Sequence, residues 1–442
     1  MDLNNVKFTW LEGSPKHWGQ KKVKHLFKYS KEKIKNPEDY PILSLTMRGV
    51  KERDVSSNEG QLPDTFNGYS LLKKNQLVFN PMDLISGWVD STHIEGIISP
   101  SYRIIEPLSN DIIIGYYRYY FQKLYKEKVL FPFGEGVHYQ YRWGLGSVTL
   151  MNFPLLNPSK KEQQQIVTFL DDKTQKIDSL IQQKEKKIEL LKEKRTSLIN
   201  HVVTKGLDPN VEMKDSGVDW IGEIPNHWSK TKISRFCEVK DGTHDTPKYI
   251  DISENSIPLV TSNSFVNGKI DFSKSKRISQ EDYIEINKRS DVKLNDVIMS
   301  MIGSNIGNKV LVQTEKPFSI KNVCLFKTSN SKKLDSKYLI YLIESKYLKY
   351  QVDFNQKGGG QPFLSLDELR NLLFPFPQIS EQQQIVEYLD NQTEEIDTLI
   401  QLEQKKIDTL KEYRQSLISE VVTGKIRVCE EDNSLSVNSQ II

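Results

Sequence analysis

The chain has 442 residues, too many for one ordinary core, with 27% charged and 10% aromatic residues and a formal net charge of +3. So mild a charge excludes a basic tail, and any nucleic-acid surface has to come from where the cations are placed. Cys237, Cys324 and Cys429 form no CxxC pair, the start is polar without an apolar signal segment, and the most apolar stretch (112–121) is too short for a bilayer. Together these exclude a disulfide framework, a zinc ribbon and a membrane span, and fit a reducing cytoplasm.

The chain opens on Trp10-Leu11 followed by Pro15-Lys16-His17-Trp18. A strand is predicted over 41–46, and Asp83-Leu84-Ile85 reads as a turn entering another. Asp111 is a plausible N-cap for a tyrosine-rich helix over 112–124. Gly134 and Gly136 mark a turn. From Glu162 to Leu207 runs a long polar helix with an apolar stripe. The plan then restarts. Trp220-Ile221 and Pro225-Asn226-His227-Trp228 repeat the opening, and a strand is expected over 257–261. Asp296-Val297-Ile298 parallels Asp83-Leu84-Ile85, Asp335 caps a second tyrosine-rich helix over 336–352, and Gly358-Gly359-Gly360 answers Gly134 and Gly136.

The strongest signal is that second pass. Residues 162–207 and 381–426 align without a gap at an offset of 219, with 27 identities in 46 positions. Between landmarks the halves differ. A duplicated frame with changed contents predicts a globular domain, a long helix, a second globular domain and a second long helix. The boundaries are expected at 1–158, 159–207, 208–378 and 379–426, with a polar tail over 427–442.

A heptad from Glu162 puts Val167, Thr174, Ile181, Ile188, Arg195 and Val202 at one seam position. Leu170, Ile177, Lys184, Leu191 and Leu198 occupy the other. A single stripe needs a partner. Residues 159–207 hold 11 Lys/Arg against 7 Asp/Glu, and residues 379–426 hold 5 against 10. Unlike helices therefore attract, and an antiparallel pair is expected to cross near Lys184 and Glu403. The helix-pairing residues are Lys184 and Arg195 with their counterparts Glu403 and Arg414. The fold class is thus α+β: two mixed α/β domains separated by two long helices in an antiparallel coiled coil, with internal pseudo-two-fold symmetry.

No active site emerges. A GxxxxGK[ST] loop is absent, and 303–308 has glycine spacing but reads as a turn between strands. Phe133-Gly134-Glu135-Gly136 is too short for a methyltransferase cofactor loop. Asn80-Pro81-Met82 lacks the second proline and the aromatic of an amino-methyltransferase motif, and the seven histidines form no metal pair. No catalytic, cofactor or metal residue is assigned, and the chain is expected not to be an enzyme.

The duplicated Trp-x4-Pro-x-His-Trp openings and Glu-Gln-Gln-Gln-Ile-Val helix starts resemble type I restriction–modification specificity subunits. So do Gly-Ile-Ile-Ser-Pro-Ser-Tyr (96–102), Asp-Gly-Thr-His-Asp-Thr-Pro (241–247) and Asn322-Val323-Cys324-Leu325-Phe326-Lys327. The likeness covers nearly all the chain except the tail. It implies two target recognition domains, each reading one half of a split, asymmetric site in double-stranded DNA, and helices that set the spacing and dock two methyltransferase subunits. S-adenosylmethionine would be held by those partners, ATP and Mg by a separate restriction subunit, and no cofactor by this chain.

Phosphates need cations and base edges need polar or aromatic side chains on loops. Candidates in the second domain are Lys240, Thr243, His244, Thr246 and Lys248, then Ser262, Asn263, Asn305, Lys309, Lys357 and Gln361. Those in the first are Arg48, Lys51, Trp88, Ser91, His93, Tyr139, Tyr141 and Arg142. Rival readings are a DNA methyltransferase or nuclease carrying its own specificity domains, and a coiled-coil scaffold that binds no DNA.

Overall fold

The structure is a computed structural model that describes residues 11–30, 32, 34, 36–54, 65–136, 143–355 and 362–428. The expected α+β plan is present, with two long helices, Lys160–Lys205 and Ile379–Val422, following two mixed globular segments. The chain divides into two compact units, Met1–Lys184 with Lys405–Ile442, and Glu185–Gln404. Each long helix therefore contributes one end to each unit.

The first unit holds two four-stranded sheets. One has the order Phe27–Ser30, Arg103–Pro107, Leu77–Phe79, Val89–Ser91, all antiparallel. The other has the order Gly49–Glu52, Ile42–Thr46, Gly96–Ile98, Ser70–Leu72, with a parallel pair in the middle. The second unit repeats the first of these as Glu238–Asp241, Val323–Lys327, Val297–Ser300, Lys309–Leu311. It adds a three-stranded sheet with Ile257–Val260 between Lys276–Ile278 and Ser319–Ile320.

The common sheet corrects one landmark. The counterpart of Val297–Ser300 is Leu77–Phe79, and Asp83-Leu84-Ile85 lies in the turn beyond it. The matched entrances are Asn75-Gln76 and Asn295-Asp296, where each asparagine has positive φ (61° and 69°) and each following side chain is buried. Tight turns select asparagine there because its side chain tolerates the left-handed region.

The tyrosine-rich helices are Ile114–Lys126 and Ser336–Glu344. Asp335 caps the second, accepting from Lys337 and Tyr338, but Asp111 does not cap the first, whose N-cap is Ile113. The duplicated device is a glutamine instead. Gln163 and Gln382, both buried, accept from the N–H of Ile113 and Asp335 at 2.9 Å and donate to Pro158 and Pro377 carbonyls. The predicted 336–352 helix breaks at Ser345, whose hydroxyl donates to the Leu342 carbonyl while Asn200 accepts from the Lys346 N–H. A side chain that satisfies the backbone locally competes with helix continuation.

The seam stripe is buried as expected: Val167, Leu170, Thr174, Ile177 and Ile181 in the first unit, Ile188 and Val202 in the second. The ion pairs across it are duplicated. Arg414 meets Asp178 in the first unit at 2.9 Å, and Arg195 meets Asp397 in the second at 3.0 Å, each pair joining antiparallel segments of the two helices. Glu403 is buried and accepts from Lys187 at 2.9 Å.

A second duplicated contact closes the helix ends. In the first unit Trp18 Nε1 and His17 Nε2 lie 2.9 and 2.7 Å from Glu162 Oε1, and Ser159 donates to Oε2. Trp228 and His227 hold Glu381 by Oε1 and Oε2, at 3.0 and 2.9 Å. Each indole also abuts the glycine ending the opposite helix, Gly424 for Trp18 and Gly206 for Trp228, both with positive φ. Burial opposes the Glu162 charge, but hydrogen bonds from Ser159, His17 and Trp18 outweigh it and hold its pKa at about 2. The folded value lies below the ordinary 4.5, so this stabilisation is complete above about pH 4.5 and is lost as pH falls towards about 2. Glu162→Gln is expected to flatten that acid limb, read as the pH dependence of the first unit's hydrogen exchange.

Candidate nucleic-acid interface

In the second unit, antiparallel register decides which loops meet. Asp241 pairs with Cys324 and Ser300 with Val323, so two strand ends and one strand start share a single edge of the sheet. Residues 242–248, 301–308 and the Lys321-Asn322 turn leave from it. The parallel pairing of Val260 with Ile320, continued by Lys321 N–H to Val260 O at 2.9 Å, brings the Ser262–Ser264 turn alongside. Gly303 N–H donates to Pro362 O at 2.7 Å, which holds the far flank of 356–361 there.

Most of the second unit's candidates gather at this edge. His244, Thr246, Lys248, Asn263 and Asn305 are exposed, while Thr243 and Ser262 are half-buried. Two candidates are turned elsewhere. Lys240 faces Glu238 at 3.5 Å. Lys309 lies 3.4 Å from Glu344 with its side chain 18% exposed; burial pushes its pKa down and the Glu344 charge offsets this only in part. The ammonium is thus already engaged by a carboxylate. Lys357 and Gln361 lie outside the described residues.

Sequence reasoning missed several groups at this edge. Lys321 donates to the Thr246 hydroxyl, and Asn322, in positive φ, reaches His244. Ile250 N–H bonds the Arg277 carbonyl and Lys276 lies over the Tyr249 ring, so the exposed run 248–250 lies beside two further cations. The dense run Lys274-Ser275-Lys276-Arg277 is the available signal, but nothing local ties it to residues 27 positions earlier.

The first unit's candidates split into two groups. The sheet edge equivalent to that just described carries 80–88, 99–102 and 143–145, joined by Leu84 N–H to Trp143 O and Leu145 N–H to Pro81 O. Trp88 is in this group, but it is half-buried against the Leu43, Leu45 and Val78 cluster and acts first as packing. Ser91 pairs with Leu77 at the other end of the sheet, with exposed His93 beyond it. The hairpin bearing exposed Arg48 and Lys51 is tied to that second group by Val50 N–H to Asp90 Oδ2 at 3.1 Å. Tyr139, Tyr141 and Arg142 lie outside the described residues, in a segment whose flank at Trp143 matches the flank of 356–361 at Pro362. Among the described residues no three His, Cys, Asp or Glu side chains are grouped to hold a metal, and no helix is long and apolar enough to cross a membrane.

One frame built twice, with unlike loops on the same sheet edge, defines a two-module recognition protein. Residues 225–412 match the family model for the type I restriction modification DNA specificity domain. The chain is 26% identical over 367 residues to the type I restriction enzyme MjaVIII specificity subunit of Methanocaldococcus jannaschii, covering 81% of this chain and 82% of that one. It is 23% identical to the EcoBI specificity subunit of Escherichia coli, over 64% of this chain and 60% of that one. A solved chain from a study of complex assembly and conformational transition of the type I R-M system superposes with a TM-score of 0.72 at 12% identity, over 93% of this chain and 99% of that one. The HsdS subunit of Thermoanaerobacter tengcongensis gives 0.52 at 12% identity, over 93% and 98%. Residues 225–412 thus carry the type I restriction modification DNA specificity domain, and the chain as a whole is similar to type I restriction enzyme specificity subunits.

Proposed function

We propose that each unit reads one half of a split DNA site, and that the two half-sites differ. The observation that carries this is the contrast within the duplication: the Trp–Glu contact, the glutamine bridge and the seam ion pair occur twice, while the loops on the sheet edges share neither length nor sequence. Unlike edges on the two units would give a non-palindromic site. The paired long helices act as the spacer, in the way that dimer geometry sets half-site spacing in other DNA binders.

The same helices dock two methyltransferase subunits. Matching positions line a groove in each unit, Lys192, Glu193, Thr196 and Asn200 in one and Lys411, Glu412, Gln415 and Ser419 in the other, with volumes of about 660 and 580 Å³. Repeated grooves suit two copies of one partner. The chain itself is non-catalytic and cytoplasmic: S-adenosylmethionine is bound by the methyltransferases, and ATP and Mg by the restriction subunit.

The test is a methylated-base map of the source genome with the chain present and deleted. Loss of one split, asymmetric methylated motif on deletion is the expected result. An unchanged map, with the methyltransferase expressed, would sink the reading.

A further inference from the structure

The loop after Asp241 is fastened by a set of contacts that leave His244 nothing to offer a base. Asp241 is 4% exposed, yet both its oxygens are engaged. Oδ1 accepts from Arg289 Nε at 2.9 Å and also from Nη2, and Oδ2 lies 2.8 Å from His244 Nε2. A carboxylate only accepts, so Nε2 carries the hydrogen. The other ring nitrogen, Nδ1, lies 3.2 Å from the side-chain amide of Asn322, which can present either its oxygen or its NH2 group. Both nitrogens of an exposed imidazole are thus used inside the protein.

The backbone on either side is held as well. A Cβ on Gly242 would come 2.4 Å from the Ile320 carbonyl oxygen, so the chain passes there only as glycine. Gly242 N–H donates to Val323 O and Thr243 N–H to Ile320 O, both at 3.0 Å, and Asn322 N–H returns to Thr243 O at 3.2 Å. Lys321, 8% exposed, reaches the Thr246 hydroxyl. Residues 242–246 are stitched to the 320–322 turn along their length.

We propose that Asp241, Arg289, Asn322 and His244 form a clamp that sets the shape of the 242–248 loop, and that His244 is a positioning residue and not a reader of bases. This rests on the DNA-reading function proposed above and assigns parts within it. Reading from this loop then falls to its exposed groups that no contact described above engages, Asp245 and Lys248. A site fixed before binding loses less ordering entropy and rejects wrong bases better than a loose one.

The test uses the full chain assembled with its methyltransferase, selecting from a pool of randomised DNA duplexes, beside amide exchange on the full chain. Asp241→Asn and His244→Ala are each expected to lower base discrimination at one half-site by about tenfold and leave the other unchanged. The double variant should do no more than either single one, since groups acting through one device are non-additive. Amide exchange at 242–246 should rise in both single variants by a similar factor, while that of Val323–Lys327 is unaltered. His244 is exposed, so its replacement keeps the test interpretable if Asp241→Asn misfolds. Loosened discrimination in His244→Ala with unchanged exchange would make His244 a reader and overturn the clamp, as would full discrimination in both variants. A wild-type complex that selects no split motif would overturn the DNA-reading function itself, which the exchange result cannot do.

Discussion

Lys327→Met is expected to destabilise the second unit by about 3–5 kcal/mol, because it strands a buried charge. Asp296 is 0% exposed and Lys327 1% exposed, and their charged atoms lie 2.7 Å apart. Asp296 is otherwise held by neutral donors, the N–H groups of Lys293 and Ser329 and the Ser329 hydroxyl. These orient the carboxylate but supply no countercharge. In the first unit the matching positions are Gln76 and Glu106, joined at 2.9 Å, with the carboxylate part-exposed and paired to Lys28. The position itself therefore does not require a buried ion pair. Asp296→Asn together with Lys327→Met should recover most of the loss, since neutral replacements of a buried pair are often tolerated. Urea unfolding of wild type, single and double variants measures this. A single variant as stable as wild type would show that water or rearrangement compensates the carboxylate.

Trp228→Ala should cost a similar amount, about 3–5 kcal/mol for the emptied volume. Trp228 is 1% exposed, and its indole fills the space between Glu381 near the start of one long helix and Gly206 at the end of the other. Two effects add. The cavity has little chance to collapse, because Gly206 holds a φ of +75° that fixes the chain beside it. Glu381 also loses its indole donor and keeps only the half-exposed His227. Amide exchange should quicken at the start of Ile379–Val422 and the end of Lys160–Lys205. Trp18→Ala should do the same at the start of Lys160–Lys205 and the end of Ile379–Val422, through Glu162 and Gly424. If Trp228→Ala left exchange at both ends unchanged, the contact would be packing detail and not a fastening of the helix pair.

Much of the frame was legible before any coordinates. Helical stripes and a gapless repeat are local patterns, and a pattern written twice is hard to mistake. The long helices, the buried seam and the N-cap at Asp335 follow from periodicity and capping chemistry alone. Where the two copies diverge, pattern matching slipped. Asp83 resembles Asp296 in its neighbours, yet the true counterpart is Gln76, identified by strand order and by the positive-φ asparagine before it. Asp111 has the residue type of a cap, but the N-cap is Ile113, whose N–H is bonded by a glutamine 50 residues away.

The candidate interface shows the same division. Residue types suited to DNA could be picked from loops, but not their companions. Lys240 and Lys309 looked like free cations until the fold turned them to Glu238 and Glu344. His244 has the side chain of a reader, but Asp241 and Asn322 engage both its nitrogens, the latter from 78 residues away. The sequence by itself determined the duplication, the long helices, the charge difference between them and the resemblance to type I specificity subunits, since each is carried by neighbours along the chain or by repetition. Only the tertiary structure decided which polar groups remain free to meet a ligand, because a hydrogen bond is spent or unspent according to partners that sheet register and helix pairing bring from far along the chain.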